Sequence, residues 1–515
     1  MGASSEPMSE ARGVTGARPG SDTRISTGVP GLNEILGGGL TPDRLYLLEG
    51  TPGTGKTTLA LQFLLEGAAQ DERSLYVTLS ETADELRAAA ASHGWSLDGI
   101  DVYELVNEMG LDPDSEQSIL HPSEIELGET VREVIARVET VKPERVVFDS
   151  LSELRLLAQN PLRYRRQILA LKQFFSKRSC TVLMLDDRTS EAGDLQLHSI
   201  AHGVISLDQT PRDFGSERRR LRIVKMRGIK FRGGYHDFVM ETGGVEVFPR
   251  LVAADHHATF DATARPTGSA ELDLLLGGGL VPGTNTLLLG PSGVGKTTTA
   301  VRCMLAALER GETATYYLFD EGLNTLITRA ALLGMDLGPH LEAGRLTLTQ
   351  IDPAELSPGE FASIVRQAVE ERGSTFVAVD SLNAYLHAMP GEEYLVLQMH
   401  ELLSYLNQKG VMTLLVLGQH GVIGEVRTDI DLSYLSDCIL LFRFFEARAE
   451  IRTALSVVKS RVNAHERTIR ELRLSTEGLR VGEALTDFEG VLTGLPAYRG
   501  QVAMLQDPEA PGNRA

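Results

Sequence analysis

The sequence contains an internal duplication, and this feature limits the possible folds of the chain more than any other. The segment STGVPGLNEILGGGLTPDRLYLLEGTPGTGKTTLA begins at Ser26, and PTGSAELDLLLGGGLVPGTNTLLLGPSGVGKTTTA begins 240 positions later, at Pro266. The pairs VVFDS and VAVDS, then VKMRG and VKSRV, follow in the same order. Repetition on this scale predicts two tandem domains of one fold, each of about 230 residues.

The domain limits follow from where the repeated landmarks stop. We expect a disordered leader over residues 1–20, because this stretch is small, polar and rich in glycine and proline. The first domain is expected over residues 21–255 and the second over residues 256–490. Residues 491–515 end in a polar stretch, which predicts a flexible tail.

Short β-rich runs alternate with helical patterns within each copy. In the first copy RLYLLEG, SLYVTLS, RVVFD and TVLMLDD are typical of strands, and TTLALQFLLEGAAQ and ADELRAAAASHG are typical of helices. Strands that are apolar throughout and separated by helices indicate a parallel sheet. Each copy is therefore predicted to be an α/β domain, a mostly parallel twisted sheet covered by helices on both faces.

The composition argues against several classes of protein. The formal net charge of -20 disfavours a general nucleic-acid binder, whose affinity comes largely from neutralising phosphates. We find no apolar run of about 18 residues and no signal peptide. Cys180, Cys303 and Cys438 are far apart in apolar contexts, which predicts reduced, structural thiols. We expect a soluble, cytoplasmic protein without a membrane partner.

Both copies contain the phosphate-binding pattern G-x-x-x-x-G-K-[ST], as GTPGTGKT from Gly50 and GPSGVGKT from Gly290. Each follows an expected strand and opens an expected helix, the context that this pattern requires. Successive backbone N–H groups and the helix N-terminus attract an anion there. We expect ATP and Mg²⁺, with the lysine on the β- and γ-phosphates and the next threonine on the metal. The residues concerned are Gly53, Thr54, Gly55, Lys56, Thr57 and Thr58, and Gly293, Val294, Gly295, Lys296, Thr297 and Thr298.

Asp149 and Asp380 each end an apolar strand and precede Ser-Leu. This Walker B pattern predicts a carboxylate that holds Mg²⁺ directly or through a water. An aspartate that only caps the following helix is the alternative. Recurrence behind both phosphate loops favours the metal role.

Acidic residues follow the strand after each phosphate-loop helix. The first copy has Ser80-Glu81 and the second has Asp320-Glu321, again 240 positions apart. A carboxylate here could polarise an attacking water or a protein hydroxyl, so we expect Glu81, Asp320 and Glu321 to be catalytic. Asp320 is also a candidate ligand of Mg²⁺. Surface acids at a helix start, favoured by the helix dipole, are the alternative.

Two cations alternate late in each copy, Lys225 with Arg227 and Lys459 with Arg461. Because alternate residues of a strand face the same side, each pair should point in one direction. One interpretation is a solvated strand edge. The other is insertion into the nucleotide site of a neighbouring subunit, as an arginine finger acting in trans.

The tandem α/β domains, the GGGL element before each phosphate loop and the KMRG sequence late in the first copy resemble the KaiC family of circadian-clock ATPases and autokinases. The resemblance covers about residues 22–495. It implies two RecA-like P-loop domains and a homo-hexamer with ATP at the subunit interfaces. It also implies ATP hydrolysis in the first ring and phosphorylation of the protein's own hydroxyls in the second, in signalling or timing with protein partners. The segment FEGVLTG resembles the family's C-terminal regulatory loop.

The resemblance also assigns residues to the nucleotide sites. The family carries two adjacent glutamates at the catalytic position, so Ser80 marks a missing acid in the first copy. Leu333 stands where the family has an aromatic residue against the base. The further nucleotide contacts that the resemblance implies are Ser92, Lys225, Met226, Arg227, Lys459, Ser460 and Arg461.

The segment SYLSDCILL resembles the family's phosphorylated segment, with Ser433 at the serine and Tyr434 at the threonine. Ser433 is the expected phosphoacceptor, because the longer Tyr434 side chain does not match a geometry built for threonine. Two alternatives stay open. One is an ATP-gated hexameric scaffold with weak hydrolysis and no autokinase activity. The other is a RecA-type ATPase stimulated by nucleic acid, for which the sequence offers no clear basic channel loop.

Overall fold

A computed structural model describes most of the chain. The expected leader at residues 1–20 and most of residues 491–515 lie outside its described part. The described residues are 24–105, 122–158, 160–188, 196–212, 214–387, 394–419, 433–447, 449–476, 478–492 and 497–498.

The first repeat alternates strands and helices as the sequence predicts. Its strands are β1 Leu45–Glu49, β2 Ser74–Thr78, β3 Ile100–Glu104, β4 Arg145–Asp149, β5 Thr181–Asp186, β6 Gly203–Thr210, β7 Arg218–Met226, β8 Tyr235–Glu241 and β9 Gly244–Phe248. Its helices are α1 Leu32–Ile35, α2 Lys56–Ala68, α3 Ala83–Ser92, α4 Pro122–Val141, α5 Leu151–Ala158, α6 Pro161–Ser176 and α7 Gln196–Ile200, followed by a 3₁₀ turn at Ala253–Asp255.

The second repeat has the same order of elements around its phosphate loop. Its helices are α8 Ala270–Leu276, α9 Lys296–Glu309, α10 Leu323–Leu332, α11 Gly338–Glu342, α12 Pro358–Glu370, α13 Leu382–His387 and α14 Leu395–Gln408, with a 3₁₀ turn at Ser433–Leu435. Its strands are β10 Asn285–Gly290, β11 Ala314–Leu318, β12 Leu346–Gln350, β13 Phe376–Asp380, β14 Met412–Gly418, β15 Cys438–Ala447, β16 Glu450–Ser460, β17 Ile469–Ser475 and β18 Gly478–Ala484, followed by the short pair β19 Phe488–Glu489 and β20 Ala497–Tyr498.

Across the described residues, the two repeats form two nine-stranded sheets with matching strand orders. These orders are β3-β2-β4-β5-β1-β6-β7-β8-β9 and β12-β11-β13-β14-β10-β15-β16-β17-β18. In this spatial order, all neighbouring strands from β3 through β1 to β6 pair in parallel, and so do those from β12 through β10 to β15. The pairs β7–β8, β15–β16, β16–β17 and β17–β18 are antiparallel. The predicted α/β fold is therefore confirmed.

Helices bury both faces of the second sheet. Adjacent tyrosines of β11 show the alternation, because Tyr316 packs in the core cluster that contains Met304 of α9, whereas Tyr317 packs in the cluster that contains Met399 of α14. A strand buried on both faces must be apolar at nearly every position. This requirement explains why the parallel strands read as continuous apolar runs.

The chain folds into two compact units. The first comprises the chain up to Leu207 with Ile223–Gly233 and Met240–Glu246, and the second comprises Asp208–Arg222, Gly234–Val239 and the chain from Val247. Each phosphate loop and its neighbouring acids lie within one unit. Among the described helices, none is long and apolar enough to cross a membrane.

Candidate functional site

The phosphate loops join β1 to α2 and β10 to α9, so both open at the carboxyl edge of a parallel sheet. Gly53 and Gly55 have φ angles of 83° and 98°, and Gly293 and Gly295 have φ angles of 78° and 98°. Residues other than glycine are strained in this left-handed region, because glycine alone has no Cβ. The repeated glycines are therefore required by the loop, which presents its N–H groups at a helix N-terminus.

The two loop lysines are buried and hold the loop from inside. Lys56 Nζ donates to the carbonyl oxygens of Gly50 at 2.9 Å and Thr51 at 3.1 Å. Lys296 Nζ donates to those of Gly290 at 2.8 Å and Pro291 at 2.7 Å. Burial lowers the pKa of Lys296 to about 8, although the charge of Asp380 opposes this shift. Both lysines lie within their phosphate loops, and their contact with the β- and γ-phosphates stays a prediction.

Each Walker B aspartate is held by a buried tyrosine. Tyr76 Oη donates to Asp149 Oδ2 at 2.5 Å, and Tyr316 Oη donates to Asp380 Oδ2 at 2.8 Å. Burial is the largest influence on both carboxyls and raises the pKa of Asp149 and of Asp380. A buried carboxylate with a fixed orientation is suited to hold a cation at one place.

Hydroxyl and carboxylate oxygens meet where a metal is expected. Thr57 Oγ1 lies 3.4 Å from Asp149 Oδ2, and Thr297 hydrogen-bonds to Asp380 in the second repeat. These hard oxygen donors fit Mg²⁺, which is typically bound by one or two protein oxygens together with substrate phosphates and waters.

The candidate catalytic glutamates are half-buried, and their surroundings differ. Burial, followed by the charge of Asp149, raises the pKa of Glu81. Burial also raises the pKa of Glu321, but Arg329 opposes that shift, because its Nη2 lies 2.7 Å from Glu321 Oε2. The position that corresponds to Arg329 in the first repeat is Ala89. The two glutamates are thus in equivalent places with different partners.

The second repeat contains a cavity of about 760 Å³ between its phosphate loop and α10. Such a volume is typical of sites for nucleotide-sized ligands. The lining brings together most of the predicted residues of this site, and none of the residues Lys459–Arg461 is among it. The lining residues are Ser292, Gly293, Gly295, Lys296, Thr297, Thr298, Asp320, Glu321, Arg329, Leu332, Leu333, Asp380, Ser381, Asn383, Val416, Gly418, Gln419 and Leu474. Val294 is fully buried behind the loop.

The end of α3 in the first repeat corresponds to the leucine-lined end of this cavity. Ser92 is exposed there, and its hydroxyl donates to the carbonyl oxygen of Ala89. His93 Nε2 lies 3.4 Å from Thr58 Oγ1, and the His93 ring packs 5.0 Å from the ring of Trp95. Thr54 Oγ1 donates within the loop, to the carbonyl oxygen of Thr51. The first site therefore offers polar and aromatic groups where the second offers leucines.

The paired cations contact the segment that precedes β6 or β15. Lys225 Nζ donates to the carbonyl oxygens of residues 198 and 201, and Arg227 Nη2 donates to that of residue 199. Lys459 Nζ donates to the carbonyl oxygen of residue 436 at 2.7 Å, and Arg461 Nη2 to that of residue 434 at 3.3 Å. Both cations of a pair thus reach one segment, as their alternation predicts.

The residues between these cations have other roles in the chain. Met226 is buried and packs against Gly203 at the start of β6. Ser460 Oγ accepts from the backbone N–H of Asn463 at 3.3 Å. In the described residues, neither side chain contacts a phosphate loop of its own repeat.

The expected phosphoacceptor lies at the edge of the described residues. The backbone of Ser433 begins the 3₁₀ turn Ser433–Leu435, and its side chain lies outside the described part. Tyr434 is 53% exposed. Arg461 holds the backbone of this turn, so the segment is anchored immediately before β15.

Three groups of site residues were not predicted from the sequence. Tyr76 and Tyr316 recur 240 positions apart, and this recurrence is a signal that could have identified them. Asp187 Oδ1 lies 2.8 Å from Lys56 Nζ. Its place directly after an apolar strand, similar to that of Asp149 at the end of one, is a signal that could have identified it. Arg329 lies eight residues after Glu321 on the next helix, and no sequence signal marks it.

Two tandem RecA-like domains, each with a phosphate loop, a buried Walker B aspartate and a nearby glutamate, define a P-loop NTPase with two nucleotide sites. The family model for the KaiC ATPase matches residues 25–252 and 265–486. The chain therefore belongs to the KaiC ATPase family and is a KaiC-like ATP-binding protein.

Curated relatives agree with this assignment over nearly the whole chain. The circadian clock protein KaiC3 of Synechocystis sp. is 26% identical over 93% of this chain and 95% of its own length. The circadian clock oscillator protein KaiC of Prochlorococcus marinus is 26% identical over 92% of this chain and 95% of its own length. The protein of the same name from Synechococcus elongatus is also 26% identical, over 92% of both chains.

Proposed function

We propose that both repeats hydrolyse ATP and that the second also phosphorylates Ser433 of the chain itself. The observation that carries this proposal is the shared frame of each site, a buried loop lysine, a tyrosine-held aspartate and a half-buried glutamate. In phosphoryl transfer the protein contributes chiefly positioning and charge stabilisation. Each site contains the groups that these tasks require.

The proposed hydrolysis assigns a task to each group. A water oxygen bonds to the γ-phosphorus as the bond from that phosphorus to the β–γ bridging oxygen breaks, and ADP leaves with the bonding electrons. The water's proton passes to Glu81 in the first site and to Glu321 in the second. Lys56 and Lys296 stabilise the charge that develops on the phosphate oxygens.

Mg²⁺ would be held by Thr57 with Asp149 and by Thr297 with Asp380, and Asp320 is a further candidate ligand. When bound, the ion neutralises charge on the β- and γ-phosphates. The buried tyrosines fix the aspartates in the orientation that this binding needs.

For the kinase reaction, the Ser433 hydroxyl takes the place of water at the second site, and its proton passes to Glu321. We propose that this acceptor comes from a neighbouring subunit of a homo-hexamer with nucleotide at subunit interfaces, and that signalling partners read its state. Support comes from the KaiC family membership and from the names of the relatives, which include circadian clock oscillator proteins. Lys225, Met226, Arg227, Lys459, Ser460 and Arg461 would complete these interfaces.

Phosphopeptide mapping after incubation with Mg-ATP tests the kinase half, together with measurement of ADP release. We expect phosphate on Ser433 in the parent chain and none in Lys296→Ala, whereas Lys56→Ala keeps its phosphate. An unmodified Ser433 peptide from a parent that releases ADP would contradict the autokinase proposal. Sedimentation with and without ATP measures the assembly in the same samples.

An ATP-gated scaffold with weak hydrolysis is the second candidate, and one contact favours it. The Arg329–Glu321 ion pair holds the base of the second site, so hydrolysis there would be slow. ATP-dependent assembly without phosphate incorporation would select this function.

A further inference from the structure

The first site lacks the acid that precedes the catalytic glutamate in the second. Ser80 stands at the position of Asp320, and it is exposed. The strand order brings four strand ends together at each site. In the first repeat they belong to β2, β4, β5 and β1, in that order. Strand β5 therefore ends between the Walker B strand and the phosphate loop.

Asp187 follows β5 directly and points its carboxylate into this site. Its Oδ1 lies 2.8 Å from Lys56 Nζ, and its Oδ2 accepts from Ser150 Oγ at 3.2 Å. Ser150 is the residue after the Walker B aspartate. The charge of Asp187 also acts on Glu81, where it contributes to the raised pKa. Asp187 thus lies among the groups that surround the reacting phosphate in the proposed function.

The second repeat has no side chain at the place of Asp187. Leu45 of β1 pairs with Val182, and Asn285 of β10, 240 positions later, pairs with Thr413. The same register places Gly418 opposite the position that Asp187 occupies. Hydrogen bonds agree, because the N–H of Asp187 donates to Ser152 Oγ and that of Gly418 donates to Asn383 Oδ1. Ser152 and Asn383 are each two residues after the serine that follows the Walker B aspartate.

The serine after the Walker B aspartate holds a different acid in each repeat. Ser381 Oγ donates to Asp320 Oδ2 at 2.5 Å, whereas Ser150 Oγ donates to Asp187 Oδ2. Asp320 follows the strand on one side of the Walker B strand, and Asp187 follows the strand on the other side. Each site therefore keeps three carboxylates and one serine, with the third carboxylate supplied from opposite sides.

We propose that Asp187 is the second acid of the first ATPase site and takes there the place that Asp320 has in the second, beside the serine that follows the Walker B aspartate. It is a positioning residue that orients the attacking water for Glu81, which receives the water's proton as ADP leaves with the electrons of the broken bond. In the chain without ATP, Asp187 also holds Lys56 in the loop. This inference rests on the proposed ATP hydrolysis.

The experiment uses the full chain with Lys296→Ala, which silences the second site. In this parent we compare Asp187→Asn, the double variant Asp187→Asn with Ser80→Asp, and the control Asp84→Asn, whose carboxylate is on the surface of α3. Single-turnover cleavage of ATP gives the chemical rate. The fluorescence of Trp95, the chain's single tryptophan, follows binding of a non-hydrolysable ATP analogue, because its ring packs on His93 beside Thr58.

We expect Asp187→Asn to lower the cleavage rate by about 10- to 100-fold, the usual cost of losing a positioning group at such a site. Binding of the analogue should not weaken. Adding Ser80→Asp should restore most of the rate, because it supplies the acid from the other side, as in the second repeat. The control should cleave at the parent rate.

Three results would overturn the inference. An unchanged cleavage rate in Asp187→Asn would show that Asp187 takes no part in the cleavage, and if the analogue then binds more tightly, Asp187 is only a counter-ion of Lys56. A loss that Ser80→Asp does not restore would show a structural role instead of equivalence with Asp320. A parent that binds the analogue but cleaves no ATP would contradict the proposed function itself, and the inference with it.

Discussion

The two nucleotide sites of this chain share one frame and differ in the charges placed around it. Both hold a buried lysine against loop carbonyls and a Walker B aspartate against a tyrosine. In the first site Lys56 has a carboxylate partner, Asp187. Ala89 stands at the position of Arg329 there, so Glu81 does not have the arginine contact that Glu321 has. In the second site the lysine contacts carbonyls and the glutamate is paired with Arg329. The repeated residues thus form the common frame of the two sites, and the unrepeated residues change the charges around it.

The largest expected effects come from the glutamates and test whether the sites have separate tasks. Glu81→Gln and Glu321→Gln should each lower ATP cleavage at their own site by about 10²- to 10⁴-fold, because each removes the proton acceptor. Only Glu321→Gln should also prevent phosphate incorporation on Ser433. Cleavage is measured with the lysine of the other site replaced by alanine. Normal labelling of Glu321→Gln would show that the second site does not use this base.

The tyrosines test the part that the two sites have in common. Tyr76→Phe and Tyr316→Phe remove the hydroxyl that orients the Walker B aspartate, so the Mg²⁺ concentration needed for ATP binding should rise by about 10- to 100-fold at the affected site. Calorimetric titration at several Mg²⁺ concentrations measures this. Tyr317→Phe is the matched control, since its hydroxyl faces the other side of the sheet, 3.5 Å from the carbonyl oxygen of Ile364. Equal losses in the control would mean that only stability is affected.

A pH series tests how Lys296 of the second site contributes to ATP binding. Burial lowers the pKa of Lys296 to about 8, and phosphate binding favours the charged form. Affinity for ATP at this site is therefore fully present below pH 8 and falls as the pH rises through it, by about tenfold between pH 7 and pH 9. Filter binding in the Lys56→Ala background measures the change. Lys296→Arg keeps its charge over this range, and the same fall in that variant would assign the effect to another group.

The smallest expected effect comes from the arginine that pairs with the second glutamate. Arg329→Ala removes a partly exposed ion pair, which is worth at most about 1 kcal/mol, so hydrolysis at the second site should rise by about two- to fivefold. The reciprocal change, Ala89→Arg on the exposed face of α3, should slow the first site by a similar factor. Steady-state ADP release in chains with one active site measures both. A slower Arg329→Ala variant would show that the arginine assists the reaction.

Local patterns were sufficient to predict the fold and the repeated part of the sites. The strands β1, β2, β4 and β5 and the helices α2 and α3 begin and end within two residues of the predicted runs. Their apolar runs and glycine-rich turns depend on neighbours in sequence, so each run carries its own signal. The same is true of both phosphate loops and of the two aspartates that end apolar strands.

The missing part of each site depends on pairing between distant strands. An ungapped alignment of TVLMLDD with TLLVLGQ places Asp187 opposite Gln419, whereas the sheet register places it opposite Gly418. A shift of one residue moves side chains to the other face of a strand, so the sequence comparison alone hides the exchange of acids. Arg329 is close to Glu321 in sequence, but their contact depends on how α10 packs in the fold, which includes its packing against β12.

The cations late in each repeat hold their segment mainly through its backbone, and Arg461 adds a contact with the carboxylate of Asp437. Lys225 and Arg227 contact carbonyls before β6, and Lys459 and Arg461 contact carbonyls before β15. Every amino acid provides such a carbonyl, so the side chains at these positions can differ between the two repeats without loss of the backbone contacts. His198-Ser199 and Ser433-Tyr434 occupy corresponding places, because Arg227 donates to the carbonyl oxygen of Ser199 and Arg461 to that of Tyr434. After the duplication, one copy could therefore acquire a modifiable residue here by a single substitution, without any change in the residues that hold the segment.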